Sequence, residues 1–260
     1  MNSLEKLVLL SLATWPEIDR YLENRRSIVI PIGSTEQHGP NGLLGTDAIC
    51  PEVIAKSAAE LSDKPMLVGP TFNVGCAQHH LAFSGTITLR PSTMIAAIHD
   101  WCASLRQHGF QRIYWLNGHG GNVATIGAAF AEVYAERSLQ GPEPLIPALT
   151  LKQRNWWELS GIPALCQKLH PVGEGFHATA SEVAVTYAAY PDQVKDVEMS
   201  PKVAPVASFT DAKNYRATFP DGRIGSDPSQ ATPENGQAII DTAAKALVAD
   251  FNAFDTATVA

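Results

Sequence analysis

The sequence has few charged residues, and acidic side chains predominate among them. Asp, Glu, Lys and Arg make up 17% of the 260 residues, with 26 acidic side chains against 19 basic ones. Since globular domains average ~25% charged residues, this composition indicates either a large single core or a surface partly buried in a homo-oligomer. No basic cluster is longer than Arg25-Arg26. Nucleic acids and anionic membranes are therefore excluded as general partners, because both attract basic patches.

Long hydrophobic runs are also absent. No apolar stretch approaches the ~20 residues of a membrane-spanning helix. The apolar stretch 7–10 is too short for a signal peptide, Glu5 stands where a basic residue is expected, and the segment 15–17 (WPE) replaces a small-residue cleavage site. Residues 1–12 are therefore interpreted as the first element of a cytoplasmic protein.

Cysteine is scarce as well. The chain has four cysteines at wide, irregular spacings and no CxxC pair. This spacing favours reduced thiols over a zinc knuckle or a disulfide framework. The residues predicted to carry mostly buried, reduced thiols are Cys50, Cys76, Cys102 and Cys166.

Strand-like and helix-like segments alternate along the chain. The predicted strands are residues 27–32, 112–116 and 145–151, and the predicted helices are residues 47–61, 92–109, 123–134 and 179–187 and a last helix capped by Thr232. Ser92 is predicted to cap the helix that ends near Gly109. The alternation predicts an α/β fold whose mostly parallel sheet is covered on both faces. Because no linker or repeat is evident, residues 1–260 are predicted to form one domain.

The first polar segment follows the predicted strand 27–32 and reads GSTEQHGP at residues 33–40. Glu36 and His38 lie two residues apart, so they point the same way in an extended chain. Asp47 lies where the loop turns into a helix, and its carboxylate can reach the same place. Glu, His and Asp together suit zinc or manganese. Alternatively, the first two are exposed loop residues and Asp47 is a helix N-cap.

The second polar segment, residues 117–122 (NGHGGN), lies between a predicted strand and a predicted helix. In open parallel sheets the crevice lies at the carboxyl ends of the strands, so His119 is expected to face the same cleft as the first segment. Gly120 and Gly121 let the backbone approach an ion or a ligand closely. The alternatives are a phosphate-binding nest, an oxyanion loop, or a structural turn around a satisfied histidine.

The third polar segment reads GEGFHATASE at residues 173–182. His177 precedes a predicted helix and Glu182 lies in its first turns, so both can line one cavity. Taken alone, a residue such as Glu182 is usually a solvated helix-start acid that the helix dipole favours. The pair His79-His80 precedes a glycine-containing loop and either rims a pocket or belongs to a plain turn.

These segments together resemble the creatininase (creatinine amidohydrolase) family. The resemblance rests on residues 33–40 with Thr46-Asp47, residues 80–86 (HLAFSGT), residues 117–122, residues 177–182 and the turn at residues 225–228. It covers most of residues 27–190, although the family usually has proline in place of Ser84. The resemblance implies a three-layer α/β/α sandwich, two divalent metal ions (Zn, Mn or Fe) per subunit and a homo-oligomer, often a hexamer. By motif matching, the metal ligands are Glu36, His38, Asp47 and His119, with Asp47 bridging the two ions.

The chain departs from creatininase proper at two places. Creatininase proper has a metal-binding glutamate where this chain has Gly121, so we expect Glu182 to supply the missing ligand. Creatininase proper also frames creatinine with two tryptophans. Trp156 or Trp157 matches one of them, whereas Phe176 lies near the place of the other. The resemblance therefore predicts the family but leaves the substrate open.

We hypothesise a metal-dependent amidohydrolase that cleaves a non-peptide or cyclic amide C–N bond, as in the conversion of creatinine to creatine. A hydroxide bridging the two ions attacks the carbonyl, and His177 is the general acid for the leaving nitrogen. Glu182 binds metal or orients His177. The alternatives are a formamide deformylase, a small-peptide peptidase, or a non-catalytic ligand-binding homologue. The expected substrate-binding residues are His80, Gly120, Gly121, Trp156 and Phe176.

Overall fold

Three parallel strands form the central sheet of the computed structural model, which describes residues 9–257. The strands pair in chain order and are β1 (Ser27–Ile32), β2 (Arg112–Asn117) and β3 (Thr150–Asn155). Ile32 is aligned with Asn117, and Asn117 is aligned with Asn155. All three strands therefore end at the same edge of the sheet, where the polar segments of the sequence begin.

Helices cover the sheet. Within residues 9–257, the α-helices are α1 (Trp15–Asn24), α2 (Thr46–Leu61), α3 (Pro91–Gln107), α4 (Val123–Ser138), α5 (Ile162–Leu169), α6 (Ala180–Ala189), α7 (Ala212–Thr218) and α8 (Pro233–Thr256). As predicted, Thr232 caps α8, and its side chain accepts a hydrogen bond from the backbone N–H of Asn235.

Apolar cores lie on both faces of the sheet. Ile28, Ile30 and Ile32 of β1 contribute to a core that also includes residues of α1, α3 and α4. Val29 points to the other face, where the core includes residues of α2, α5, α6 and α8. This alternation follows the two-residue period of a strand. The fold is the expected α/β/α sandwich with a parallel sheet.

Two elements differ from the sequence-based prediction. The strand predicted at residues 145–151 lies at residues 150–155, and Leu145 is 95% exposed. β3 is an edge strand and is mostly half-buried, so its sequence TLKQRN lacks the apolar pattern that marks a buried strand. α3 begins at Pro91, so Ser92 lies inside the first turn and is not its cap. Proline suits that first position because it has no N–H to satisfy.

Other expectations concern thiols and membrane spans. All four cysteines are free and buried, as predicted. Within residues 9–257, no helix combines the length and apolarity needed to cross a bilayer. Most of the segment 1–12, interpreted above as an ordinary first element, lies outside the described residues.

Helices α6 and α8 pack closely against each other at Gly236. A Cβ atom at this position would lie 1.9 Å from the backbone carbonyl oxygen of Ala184. Gly127, on the exposed face of α4, has no such neighbour within 4 Å. The two glycines therefore occupy helices for different reasons, and only Gly236 is required by packing.

We expect Gly236→Ala to lower the free energy of unfolding by about 1–3 kcal/mol, because α8 must move away from α6. Gly127→Ala is the matched control and should raise it by about 0.5–1 kcal/mol, because alanine loses less backbone entropy in a helix. Urea denaturation followed by far-UV circular dichroism measures both values. Equal effects of the two substitutions would contradict the close packing of α6 on α8.

Candidate metal centre

The first turn of α2 packs against the ends of β1 and β2. Gly33 follows β1 and Gly118 follows β2, and a Cβ atom at either position would lie 2.1 or 2.0 Å from the backbone carbonyl oxygen of Asp47. Only glycine leaves room for the backbone of α2 at both strand ends. Asp47 therefore lies between the polar segments that follow the two strands.

Asp47 is shared by two groups of candidate metal ligands. One group is Glu36, Asp47 and His119, and the other is His38, Asp47 and Glu182; the ligand atoms of each group lie within 4.8 Å of one another. Oδ2 of Asp47 lies 3.0 Å from Nδ1 of His119. Oδ1 lies 3.0 Å from Nε2 of His38. Each carboxylate oxygen thus faces one group, as in a carboxylate that bridges two ions.

Backbone carbonyls orient the two histidines of these groups. Nδ1 of His38 lies 3.1 Å from the carbonyl oxygen of Glu36, and Nε2 of His119 lies 3.0 Å from that of Cys76. A carbonyl oxygen only accepts hydrogen bonds, so these nitrogens carry the hydrogen atoms. The other nitrogen of each ring faces Asp47 at 3.0 Å; it carries a hydrogen atom while the ring is protonated and is free to bind a metal ion once the ring is neutral. Histidines that bind metals are commonly held in this way.

The central carboxylates lack ordinary hydrogen bonds. Among the described residues, both carboxylate oxygens of Glu36 and Oδ2 of Asp47 are buried and have no hydrogen-bond partner. Imidazole nitrogens lie 3.0 to 3.3 Å from these oxygens without hydrogen-bond alignment. A buried carboxylate is costly unless it is paired. Imidazole nitrogens and unpaired carboxylate oxygens around one point fit zinc, manganese or iron.

Burial and neighbouring charges shift the pKa values of the cluster. Burial raises the pKa of Glu36 to about 8 and that of Glu182 to about 7. Burial acts on Asp47 in the same direction, but His38 and His119 outweigh it and hold the pKa of Asp47 well below its usual range. Although burial opposes it, the neighbouring carboxylates raise the pKa of His38 to about 10 and that of His119 to about 9. The cluster thus favours positive charge, carried by protons or by cations.

The start of α6 directs Glu182 at this cluster. The backbone N–H of Thr179 donates to Oε1 of Glu182 at 2.6 Å, and the N–H of Glu182 donates to Oγ1 of Thr179 at 3.1 Å. This reciprocal pair is a capping box. Glu182 is therefore a helix-start acid, as one interpretation of the sequence predicts, and it also belongs to the ligand group with His38 and Asp47.

His177 lies beside the two groups around Asp47 and forms a third candidate ligand group with Glu36 and His38. Its ring centroid is 4.7 Å from that of His38, and its Nδ1 lies 3.7 Å from Oε1 of Glu36. Burial lowers the pKa of His177 well below its ordinary value, and His38 lowers it further. Ala178 has a φ of 53° and, among the described residues, is the one non-glycine with a positive φ. Such backbone strain costs about 1–3 kcal/mol and clusters at functional sites.

A cavity of about 370 Å³ opens onto the cluster. Asp47, His119, His177 and Glu182 are among the residues that line it, and the other lining residues include Trp156, Trp157, Gln167, Glu174 and Phe176. Trp156 is buried, whereas Phe176 is 78% exposed. Trp156, Trp157 and Phe176 thus form an aromatic wall that extends from the protein interior to the surface. Among the described residues that line the cavity, none is lysine or arginine.

The predicted substrate-binding residues lie at different depths. Three of them line the cavity, namely Gly120, Trp156 and Phe176. His80 does not line it, because it is buried behind Glu36, with its Nε2 3.1 Å from Oε1 of that carboxylate. Gly121 does not line the cavity either. His80 therefore contacts the cluster rather than the cavity, and Gly121 packs beside His119.

Two polar side chains near the cluster are not predicted from the sequence. Gln37 lies between two predicted ligands, and in an extended chain it would point away from both. Its amide nitrogen lies 2.8 Å from Nδ1 of His80 and 2.9 Å from Nε2 of His177. Glu174 lines the cavity between two glycines with positive φ. The Gly-Glu-Gly run before His177 was the one signal in the sequence that could have indicated it.

Comparison with known proteins identifies the family. A family model described as creatinine amidohydrolase matches residues 11–251, which is most of the chain. The chain belongs to the creatininase family. The resemblance predicted from the polar segments is thereby confirmed.

Three relatives illustrate the activities found among these proteins. The creatinine amidohydrolase of Pseudomonas putida is 25% identical and is matched over 94% of this chain and 96% of its own length. A mycofactocin precursor peptide peptidase of Mycolicibacterium smegmatis is 26% identical over 82% of this chain and 78% of its own. A 3-dehydro-scyllo-inosose hydrolase of Thermotoga maritima is 27% identical over 90% and 76%. Creatininase-family hydrolases therefore differ in substrate.

Solved creatininase structures share the fold of this family member. A manganese form of creatininase superposes with a TM-score of 0.82 at 23% identity, over 97% of this chain and 100% of the other. A zinc–zinc form of a creatininase mutant gives the same TM-score, identity and coverage. Metal ions are therefore known in proteins of this fold.

Gly121 occupies the place of a metal-binding glutamate in creatininase proper. A Cβ atom at this position would lie 2.4 Å from Nε2 of His119 and 2.6 Å from the carbonyl oxygen of Cys76. No side chain fits here unless His119 moves. The expected replacement, Glu182, lies on another element and forms a candidate ligand group with His38 and Asp47.

We expect Gly118→Ala to weaken Zn²⁺ binding at least about tenfold, because a methyl group there displaces the first turn of α2 and the Asp47 carboxylate. Gly120→Ala is the matched control in the same loop, since a Cβ atom at that position meets nothing within 4 Å. Its Zn²⁺ affinity should equal that of the wild-type protein. Competition with a zinc-binding dye measures both affinities. Wild-type affinity in Gly118→Ala would contradict the proposed constraint on Asp47.

Proposed function

We propose that this protein is a metal-dependent amidohydrolase that cleaves a C–N bond in a small, neutral, non-peptide or cyclic amide. Its cofactors are two divalent metal ions per subunit, zinc, manganese or iron. The family match and the creatinine amidohydrolase of Pseudomonas putida support the reaction class. The proposed ligands are Glu36, His38, Asp47, His119 and Glu182.

The observation that carries the proposal is the carboxylate of Asp47, shared between two ligand groups at the side of a cavity. When bound, a pair of divalent ions polarises the scissile carbonyl and lowers the pKa of the attacking water. The protein contributes buried, unpaired carboxylate oxygens and histidines already oriented by backbone carbonyls. Such preorganised ligands need little rearrangement to bind the ions.

His177 is proposed as the proton carrier of the reaction. Its Nε2 lies 2.9 Å from the carbonyl oxygen of Gln37, so this nitrogen carries the hydrogen atom and Nδ1 is free. Nδ1 accepts a proton from the attacking water and donates it to the leaving nitrogen, so the histidine is unchanged at the end of the cycle. Because His177 lines the cavity, it can reach a bound substrate.

The cavity supports a neutral substrate. Among its described lining residues there is no lysine or arginine, whereas Glu174 and Glu182 contribute acidic side chains. A substrate with a free carboxylate beside the scissile bond, as at a peptide C-terminus, would have no cationic side chain to pair with. The aromatic wall of Trp156, Trp157 and Phe176 suits a small planar amide. The volume of about 370 Å³ lies at the lower end of the range for small-molecule sites.

A small-peptide peptidase is the second candidate. The relative from Mycolicibacterium smegmatis, a mycofactocin precursor peptide peptidase, supports it. The exposed side of the cavity at Phe176 would admit one end of a longer chain. A formamide deformylase would use the same cluster on a neutral substrate.

The proposal extends to the assembly and location of the protein. We propose a single-domain cytoplasmic protein that forms a homo-oligomer, with a hexamer as the specific expectation. The charged fraction of 17% supports burial of part of the surface. Large apolar side chains such as Trp15 and Leu139, which are 78% and 87% exposed, offer contact area for another copy.

Asp47→Asn should reduce bound metal at least about tenfold and abolish most hydrolysis, because the bridging position loses its charge. Asp63→Asn, at an exposed turn, is the matched control and should retain both. Metal content is measured by inductively coupled plasma mass spectrometry after dialysis against Zn²⁺ or Mn²⁺.

The purified wild-type protein is assayed with creatinine, formamido-pyrimidines and short peptides. Hydrolysis of creatinine or another neutral cyclic amide is expected. Hydrolysis of peptides alone would overturn the substrate class and favour the peptidase. A wild-type protein that binds no divalent ion and hydrolyses none of these compounds would favour a non-catalytic homologue.

His177→Gln should lower kcat by about 10²–10⁴-fold, because the variant has no proton carrier. Metal content should remain at the wild-type value, since the proposed ligands are the two groups around Asp47 and neither of these includes His177. His108→Gln, on the exposed end of α3, is the control. Steady-state kinetics with parallel metal analysis separates a role of His177 in proton transfer from a role in metal binding. Loss of metal together with activity would contradict the assignment of His177 as proton carrier.

A further inference from the structure

His80 is a buried histidine that the proposed reaction does not use. It is 1% exposed, and its ring stacks on that of His177 with centroids 4.4 Å apart. Its Nε2 lies 3.1 Å from Oε1 of Glu36. A lone pair at this position would repel the carboxylate oxygen, whereas an N–H would attract it even away from the ideal hydrogen-bond angle. The effect of His80 on Glu36 therefore depends on which ring nitrogen carries the hydrogen atom.

Only one assignment of the amide oxygen and nitrogen of Gln37 satisfies its hydrogen bonds with the backbone. The backbone N–H of Gly39 donates to its Oε1 at 2.9 Å, and its Nε2 donates to the carbonyl oxygen of Gly222 at 2.9 Å. A backbone N–H only donates and a carbonyl only accepts. Exchanging the amide oxygen and nitrogen of Gln37 would break both hydrogen bonds, so their assignment is determined by the backbone.

The second amide hydrogen of Gln37 has two neighbours. Nδ1 of His80 lies 2.8 Å from the amide nitrogen, and Nε2 of His177 lies 2.9 Å from it. Nε2 of His177 already carries a hydrogen atom, because it also faces the carbonyl oxygen of Gln37 at 2.9 Å. Two donors cannot form a hydrogen bond with each other. The amide therefore donates to Nδ1 of His80, and the hydrogen atom of neutral His80 is on Nε2.

We propose that Gln37 and His80 are a positioning pair for Glu36. The amide of Gln37 keeps the hydrogen atom of His80 on Nε2, and this N–H attracts Oε1 of Glu36. Oε2, the other oxygen, lies 3.3 Å from Nε2 of His119, whose hydrogen atom faces the carbonyl oxygen of Cys76. The pair thus selects which oxygen of Glu36 is presented to a metal ion. The inference rests on the proposed function in one respect, the assignment of Glu36 as a metal ligand.

The packing around Gln37 supports a positioning role. Gln37 is 5% exposed, and a Cβ atom at Gly222 would lie 1.9 Å from its Oε1. The hydroxyl group of Tyr215 also donates to the carbonyl oxygen of Gly222, at 2.7 Å. The carbonyl that orients Gln37 is therefore itself held in place.

Nuclear magnetic resonance of the full chain tests the proposal directly. Long-range ¹H–¹⁵N spectra of histidine-labelled, metal-free protein distinguish a protonated ring nitrogen from a free one. In the wild-type protein we expect the hydrogen atom of His80 on Nε2. A wild-type His80 with its hydrogen atom on Nδ1 would overturn the proposal without any variant.

Gln37→Glu replaces the donor by an acceptor of nearly the same shape. We expect His80 in this variant to carry a hydrogen atom on Nδ1, because a carboxylate cannot donate to it. Gln37→Leu removes the donor without adding charge, so the test remains available if the glutamate variant does not fold. Gln78→Glu, an exposed position in the turn that contains His80, is the matched control and should leave the spectrum of His80 unchanged.

Metal affinity provides the second measurement. Gln37→Glu and Gln37→Leu should bind Zn²⁺ about 10–100-fold more weakly than the wild-type protein, the usual effect of losing an outer-shell partner. Gln78→Glu should bind Zn²⁺ normally. Wild-type Zn²⁺ affinity in both Gln37 variants would overturn the positioning role. Failure of the wild-type chain itself to bind Zn²⁺ would overturn the proposed function instead, and the spectrum of metal-free His80 would still decide the contact with Gln37.

Discussion

At the edge of the sheet where β1 and β2 end, the backbone of α2 passes between two glycines. Gly33 and Gly118 leave no space for a side chain there, since the carbonyl oxygen of Asp47 occupies it. This contact joins a helix to two strands at one point. The loop after β1 then brings Glu36 and His38 to the carboxylate of Asp47, and the loop after β2 brings His119 to it. The candidate centre depends on this contact more than on any single ligand.

The electrostatics of the centre follow from its burial. Three carboxylates lie together with four histidines in a region largely shielded from water, which is unfavourable unless positive charge is added. Backbone carbonyls of Glu36, Gln37 and Cys76 each face one histidine and so determine which ring nitrogen is free. The carbonyls of Glu36 and Gln37 belong to the loop after β1, and that of Cys76 belongs to the segment between α2 and α3. Orientation of these three histidines is therefore a property of the backbone, whereas the orientation of His80 depends on the side chain of Gln37.

Much of the fold was predictable because its buried elements have strong patterns. β1 and β2 are apolar and lie between helices, and they were found from sequence at nearly their observed bounds. β3 was displaced by about five residues, because an edge strand with half-buried, mostly polar side chains has no apolar alternation. The start of α3 was misassigned by one position, because Pro91 takes the first turn without a side-chain cap.

The candidate site was also predictable only in part. Glu36, His38, Asp47 and His119 stand out in the sequence because their types suit metal ions and each follows a predicted strand or begins a helix. The structure brings these four together with Glu182. The position of His80 was not predictable: it was expected to contact substrate and lies behind Glu36. Its place depends on contacts with residues 43 and 97 positions away in the chain, and such contacts leave no local pattern.

By itself, the sequence determined the residue types of the centre, the alternation of strands and helices, and the family. Those features are local, because strand and helix periods and short motifs are read within a few neighbouring residues. Only the tertiary structure decided that Asp47 faces both ligand groups, that Glu182 joins one of them, and that Gln37 contacts His80. Each of these depends on distances between segments far apart in the chain, which are set when the two cores pack on the sheet.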